Sequence, residues 1–136
     1  MTTDSPVHES SDSYLYNPED PAIHLIDMSE NELEVPADYA EEEKRSDVLC
    51  YTTECLTEDL TITGDATAEI FLSSDCEDTD LVVRITDVDE AGRSMKLADG
   101  VLCVRYRNQF DHPDFMEPGT VYPVKIRTTK VSHTFL

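Results

Sequence analysis

Tryptophan is absent, glycine occurs only four times in 136 residues, and lysine and arginine together number ten. Each shortage excludes something. Four glycines rule out a collagen-like repeat or a Gly-rich linker. Ten cations against thirty Asp and Glu give a formal net charge of −20. A surface of that sign repels phosphate backbones and anionic headgroups, so nucleic acid and membrane surfaces are not expected as partners. No run approaches the ~20 apolar residues of a spanning helix. The start, Met1-Thr2-Thr3-Asp4-Ser5-Pro6, has neither the positive charge nor the apolar core of a secretory signal. The four cysteines, Cys50, Cys55, Cys76 and Cys103, form neither CxxC pairs nor a His-supported zinc pattern. They read as buried or half-buried free thiols in a reducing compartment, which places the chain in the cytoplasm.

The length suits one domain with a core of its own. The acid is uneven. Residues 1–47 hold fourteen Asp or Glu and two Lys or Arg. Two physical readings fit: a salt-adapted acidic surface, which the low count of four lysines suits, or a solvated acidic arm. Residues 1–13 are polar and read as a disordered tail, and 14–47 as an acidic segment wrapping a β-sandwich of 48–136, with 14–136 as one domain. One helical turn is expected near Asp38 to Lys44.

After Asp47 the texture becomes β-rich. Strands are expected at Val48–Thr53, Leu60–Gly64, Ala66–Ser73, Leu81–Val88, Ser94–Leu97, Val101–Tyr106 and Val121–Arg127. Turn signals stand at Asp89-Glu90-Ala91-Gly92, Asp99-Gly100 and Glu117-Pro118-Gly119. Short strands divided by turns, with no amphipathic helix between them, predict an all-β antiparallel sandwich.

Sites are sparse. No G-x-S-x-G elbow occurs, and Ser73, Ser74 and Ser94 lie in turn or loop contexts, so no catalytic triad is expected. His8, His24, His112 and His133 are scattered and read as surface or hydrogen-bonded residues. The loop Asp75-Cys76-Glu77-Asp78-Thr79-Asp80 offers oxygens for calcium at Asp75, Asp78 and Asp80. It lacks the glycine and distal glutamate of an EF-hand, and reads as a solvated turn in which one Asp bonds backbone amides; Asp80, directly before an apolar strand, is the one expected to be structural. Of Arg84, Arg93, Arg105 and Arg107, some are expected to pair with carboxylates such as Asp87 or Asp99, or to face a partner domain. No cofactor is expected.

Order and spacing of motifs carry a resemblance. Tyr14-Leu15-Tyr16-Asn17-Pro18-Glu19-Asp20-Pro21, Ser46-Asp47-Val48-Leu49, Tyr51-Thr52-Thr53-Glu54, Leu56-Thr57-Glu58-Asp59-Leu60 and Ile62-Thr63-Gly64 follow one another in a recognisable series. Ser73-Ser74-Asp75, Asp78-Thr79-Asp80 with Leu81–Val88, Gly92-Arg93-Ser94, Leu97-Ala98-Asp99-Gly100, Arg105-Tyr106-Arg107, Glu117-Pro118-Gly119 and Ser132-His133-Thr134-Phe135 continue it. Over residues 14–136 the chain resembles the C-terminal domain of the cocaine-esterase and X-Pro dipeptidyl-peptidase family of α/β-hydrolases. The resemblance implies a galactose-binding-like jelly roll that packs on a Ser-Asp-His hydrolase domain, in cis or in trans, and takes part in oligomer contacts. None of the family's catalytic residues maps onto this chain. Against the family pattern the jelly roll is expected to be incomplete, lacking its opening strand and one after Phe135. The acidic segment, a homodimer pairing edge to edge, or a parent domain would then cover the gap. A carbohydrate-binding module, with Tyr106, Phe110 and Phe115 as the nearest aromatic cluster, and a stand-alone interaction protein are the rival readings.

Overall fold

The computed structural model describes residues 11–23, 25 and 37–136. The tail over residues 1–10, most of the acidic segment, His8 and His24 lie outside the described residues. The architecture is antiparallel and all-β: β1 Leu60–Leu72, β2 Asp80–Val88, β3 Ser94–Cys103 and β4 Tyr122–Phe135, with single 3-10 turns at Glu42–Lys44 and Val104–Tyr106. β1 pairs with β4 and β2 with β3, giving two two-stranded sheets that meet along β3 and β4.

The β1–β4 sheet shows the alternation that one wet face and one packed face demand. On β1 the partly covered residues Ile62, Ala66, Ala68, Ile70 and Leu72 alternate with exposed Thr63, Asp65, Thr67, Glu69 and Phe71. On β4 the buried set is Val124, Ile126 and Thr128. Val104, Met116 and Val124 form the centre of the core, with Ile70, Leu72, Leu81, Leu102 and Tyr122 packed against it. Each such aliphatic side chain contributes about 1.5–3 kcal/mol when fully buried.

The β1–β4 register slips between Asp65 and Thr67, where β4 carries an extra residue. Two successive residues of β4, Thr129 and Lys130, are exposed there. Thr128 repairs the ladder: its hydroxyl accepts the Ala66 N–H at 3.1 Å and lies 3.3 Å from the Ala66 carbonyl. A second bulge sits on β3, where Ile85 faces Ala98 and Thr86 faces Lys96, leaving Leu97 unpaired.

The described end of the acidic segment adds to β3. Asp38 bridges Met95, Tyr39 N–H donates to the Ser94 carbonyl at 2.8 Å, and Lys96 N–H to the Ala37 carbonyl at 3.0 Å. Tyr39 is fully buried, with the Arg84 guanidinium stacked 3.6 Å from its ring centroid.

Several expectations need correction. Val48–Thr53 is not a strand: it has no regular structure, and residues 49–59 are exposed throughout. β-propensity needs a neighbouring strand to act on, and none pairs here. The two strands expected at 60–64 and 66–73 are one, continuous through Gly64. Asp99-Gly100 is no hairpin but lies within β3, after which Val104–Tyr106 forms a 3-10 turn. The Asp89–Gly92 turn forms as read, with Gly92 at φ +80° and its N–H on the Asp89 carbonyl at 2.9 Å. Glu117–Thr120 turns as expected too.

Candidate functional site

The residues singled out for chemistry are mostly spent on structure. Ser94 is buried, its hydroxyl donating to Glu43 Oε1 at 2.6 Å and its N–H to Asp38 Oδ1 at 2.9 Å. Backbone N–H groups, Ala40's first and then Ser94's, hold the Asp38 carboxyl below its usual range. His133 Nε2 lies 2.9 Å from Asp87 Oδ2 and its ring meets Phe135 edge-on, while His112 is exposed beside Asp111 at 3.7 Å. Among the described residues neither histidine is hydrogen-bonded to a serine or cysteine. No Ser-His-Asp relay is assembled from them.

The acidic loop is organised around Asp78. Its Oδ1 accepts the Arg105 N–H at 2.9 Å, and its Oδ2 lies 3.1 Å from Arg105 Nε. Asp80 opens β2 opposite Cys103, and the backbone-amide bond of the loop is made by Asp78, which the loop brings over the start of the Val104–Tyr106 turn. Asp75 takes a contact from the Cys76 thiol. Among the described residues no three His, Cys, Asp or Glu side chains are placed to hold a metal.

Arg93, Arg105 and Arg107 pair with carboxylates as expected, though with others than the two offered as examples. Asp87 faces His133 and Asp99 takes Lys96 Nζ at 2.7 Å, whereas Arg93 pairs with Asp89 and Arg107 with Asp114. All four cysteines are unpaired, but Cys50, Cys55 and Cys76 are exposed rather than covered. Burial, then Glu43, pushes the Cys50 thiol pKa up; the hydrogen bond to Asp75 does so for Cys76.

What remains is a surface for contact. Large apolar side chains stand in solvent along the segments without regular structure: Leu15 at 86% and Tyr51 at 77% exposure on one side, Phe110 at 89% on another. The first group is held by Arg45, whose Nε and Nη2 bond both oxygens of Asp47 at 2.8 and 2.9 Å. Its Nη2 also reaches the Asp20 carbonyl at 2.5 Å. A shallow cleft there is lined by Leu15, Asn17, Asp20, Arg45, Ser46 and Asp47. Tyr51 donates its hydroxyl to Asp12 at 3.0 Å, tying the two segments together. These segments escape sequence reasoning because they carry strand-like composition without a strand's environment.

The family of the X-Pro dipeptidyl-peptidase C-terminal non-catalytic domain matches residues 1–136, the whole chain. The chain belongs to this family. It is 40% identical over 130 residues to a cocaine esterase from Rhodococcus sp. (strain MB1 Bresler), covering 94% of this chain and 23% of that protein. It also matches the crystal structure of an aminopeptidase from a marine sediment archaeon, Thaumarchaeota archaeon, with a TM-score of 0.70 and 33% identity, over 74% of this chain and 18% of that one. The chain thus spans about a quarter or less of these relatives. Among the described residues no helix is long and apolar enough to cross a membrane.

Proposed function

We propose that this chain is the non-catalytic accessory domain of a serine hydrolase of the acyl-transfer class, ester- or X-Pro-amide-directed, and that it packs on and supports an α/β-hydrolase domain. In this reading the two sheets belong to a galactose-binding-like jelly roll. Three exposed, unpaired thiols suit a reducing cytoplasm.

The observation that carries the reading is uncovered surface. Among the described residues Leu15, Tyr51 and Phe110 stand 86%, 77% and 89% exposed on segments without regular structure, the signature of a face made to be covered.

Two measurements test this together. The purified chain should turn over neither p-nitrophenyl esters nor X-Pro anilides. A chimera of the Rhodococcus cocaine esterase, with its matched 130 residues replaced by this chain, should be soluble and hydrolyse esters. Activity that tracks the isolated chain through repurification, or a chimera no better than the esterase with those residues deleted, refutes the proposal.

A further inference from the structure

The loop between Arg107 and Tyr122 is built differently from the other irregular segments. Its base is stitched down from both sides. Asp114 N–H donates to the Arg105 carbonyl and Met116 N–H to the Glu77 carbonyl, both at 2.7 Å. Gly119 N–H donates to the Ser74 carbonyl at 2.8 Å. The Met116 side chain is buried in the core, and Glu117 N–H rests on the Tyr122 hydroxyl at 3.0 Å.

Arg107 closes the loop. Its side chain is only 4% exposed, with the guanidinium 4.4 Å from the Tyr122 ring centroid. From there it bonds the Val104 carbonyl at 3.3 Å, the Asp114 carbonyl, and Asp114 Oδ2 at 2.8 Å, while Asn108 Nδ2 reaches the same carboxylate oxygen at 2.7 Å. Between these fixed ends, residues 108–113 are all exposed, and Phe110 stands 89% in solvent near the middle. A buried arginine ordering a loop that displays a bare phenylalanine is pre-organisation: the entropy of fixing the loop is lost on folding, before any partner arrives.

We propose that this loop is a docking finger whose Phe110 enters an apolar pocket, rimmed by Lys or Arg, on the hydrolase portion of a family protein. The inference rests on the accessory-domain reading above. Charge selects the occupant. Asp114 is held by Arg107, which leaves Asp111 and Glu117 as the outward charges of residues 108–124, with no Lys or Arg among them, so the receiving rim is cationic. A second copy of this chain is a poor receiver at net charge −20. Its Lys44, Arg93, Lys125 and Arg127 already hold Glu41, Asp89, Glu69 and Asp65. The relatives carry more than three quarters of their length outside the matched region, where such a pocket has room to lie. Aromatic anchors of this kind dominate interface energetics.

The esterase chimera described above is the test, made with native Phe110, with Phe110→Ser and with Asp111→Lys. Phe110→Ser is expected to lower the chimera's melting temperature by about 2–4 °C, a hot-spot loss spread over a protein of that size, while leaving that of the isolated chain unchanged. Asp111→Lys should destabilise the chimera at low salt and much less at 0.5 M sodium chloride, a concentration at which the Debye length is about 4 Å. If the native chimera folds and works but Phe110→Ser melts with it, the finger is wrong and the accessory role stands. An equal loss in the isolated chain places Phe110 in the domain's own packing and overturns the finger too. An Asp111→Lys effect indifferent to salt removes the cationic rim. An insoluble native chimera overturns the accessory role and the finger with it.

Discussion

Gly100 shows how a single residue is fixed by a neighbour distant in sequence. A β-carbon there would collide with the backbone carbonyl of Arg127 and press on Ile126 Cγ2 at 3.1 Å. The obstacle is backbone, so no rotamer relieves it. Gly100→Ala is expected to destabilise the domain by about 1–3 kcal/mol, as overpacking does, read as a fall in the urea midpoint at unchanged slope. An unchanged midpoint would mean that β3 and β4 do not approach this closely. The same residue marks a limit of local reading. Asp99-Gly100 has the composition of a tight turn, yet glycine is needed here for tertiary clearance within a strand. Gly92 was legible because its demand is local: a left-handed turn that closes on Asp89, three residues back along the chain.

At the scale of elements, Arg45 does for the irregular N-terminal segments what a ladder does for strands. Its fork grips Asp47 and reaches Asp20 twenty-five residues away. Those hydrogen bonds raise the guanidinium pKa further and hold the Asp47 carboxyl below its usual range. Arg45→Ala should leave the melting transition of the sheets nearly unchanged while exposing residues 11–23 and 46–59 to limited proteolysis. Arg45→Lys should not restore protection, since an ammonium lacks the planar fork. Equal cleavage of all three proteins would show that Arg45 holds nothing in place. The strands from Leu60 onward were legible, because alternation and turn residues are written in each strand's own sequence. Their merging across Gly64, and the absence of a strand at Val48–Thr53, depend on which partner lies alongside. For the docking loop, Phe110 and Arg107 could each be named from the sequence. The closure of Arg107 on Asp114 and Tyr122 could not, since it needs the turn at Val104–Tyr106 to aim the guanidinium inward.

At the scale of the whole molecule, thirty acidic groups against ten basic ones make self-repulsion the dominant electrostatic effect at neutral pH. Exposed ion pairs such as Lys125–Glu69 and Arg127–Asp65 oppose it weakly, and salt screens both. The excess of one sign decides the balance. At pH 7 the melting temperature should rise with sodium chloride up to about 0.3 M, where the Debye length has shrunk to about 6 Å. Acid acts in two stages. Lowering the pH toward about 5 protonates part of the unpaired carboxylate excess and relieves repulsion, so stability rises. Asp38, Asp47, Asp65 and Asp89 respond oppositely. Hydrogen bonds to Ala40, Arg45, Arg127 and Arg93 respectively are the chief cause of their lowered pKa values. A carboxyl whose folded pKa lies below its unfolded pKa favours the folded state above the ordinary carboxylate range. That contribution is lost as pH falls through the depressed value. The stability curve should therefore peak in mild acid and fall steeply below about pH 4, with the salt effect weakest near the peak. Thermal melts on a grid of pH and salt check this. A melting temperature that is flat or falling with salt at pH 7 would mean that the carboxylates are already neutralised by pairing or bound cations, and that repulsion among them does not govern the stability of the fold.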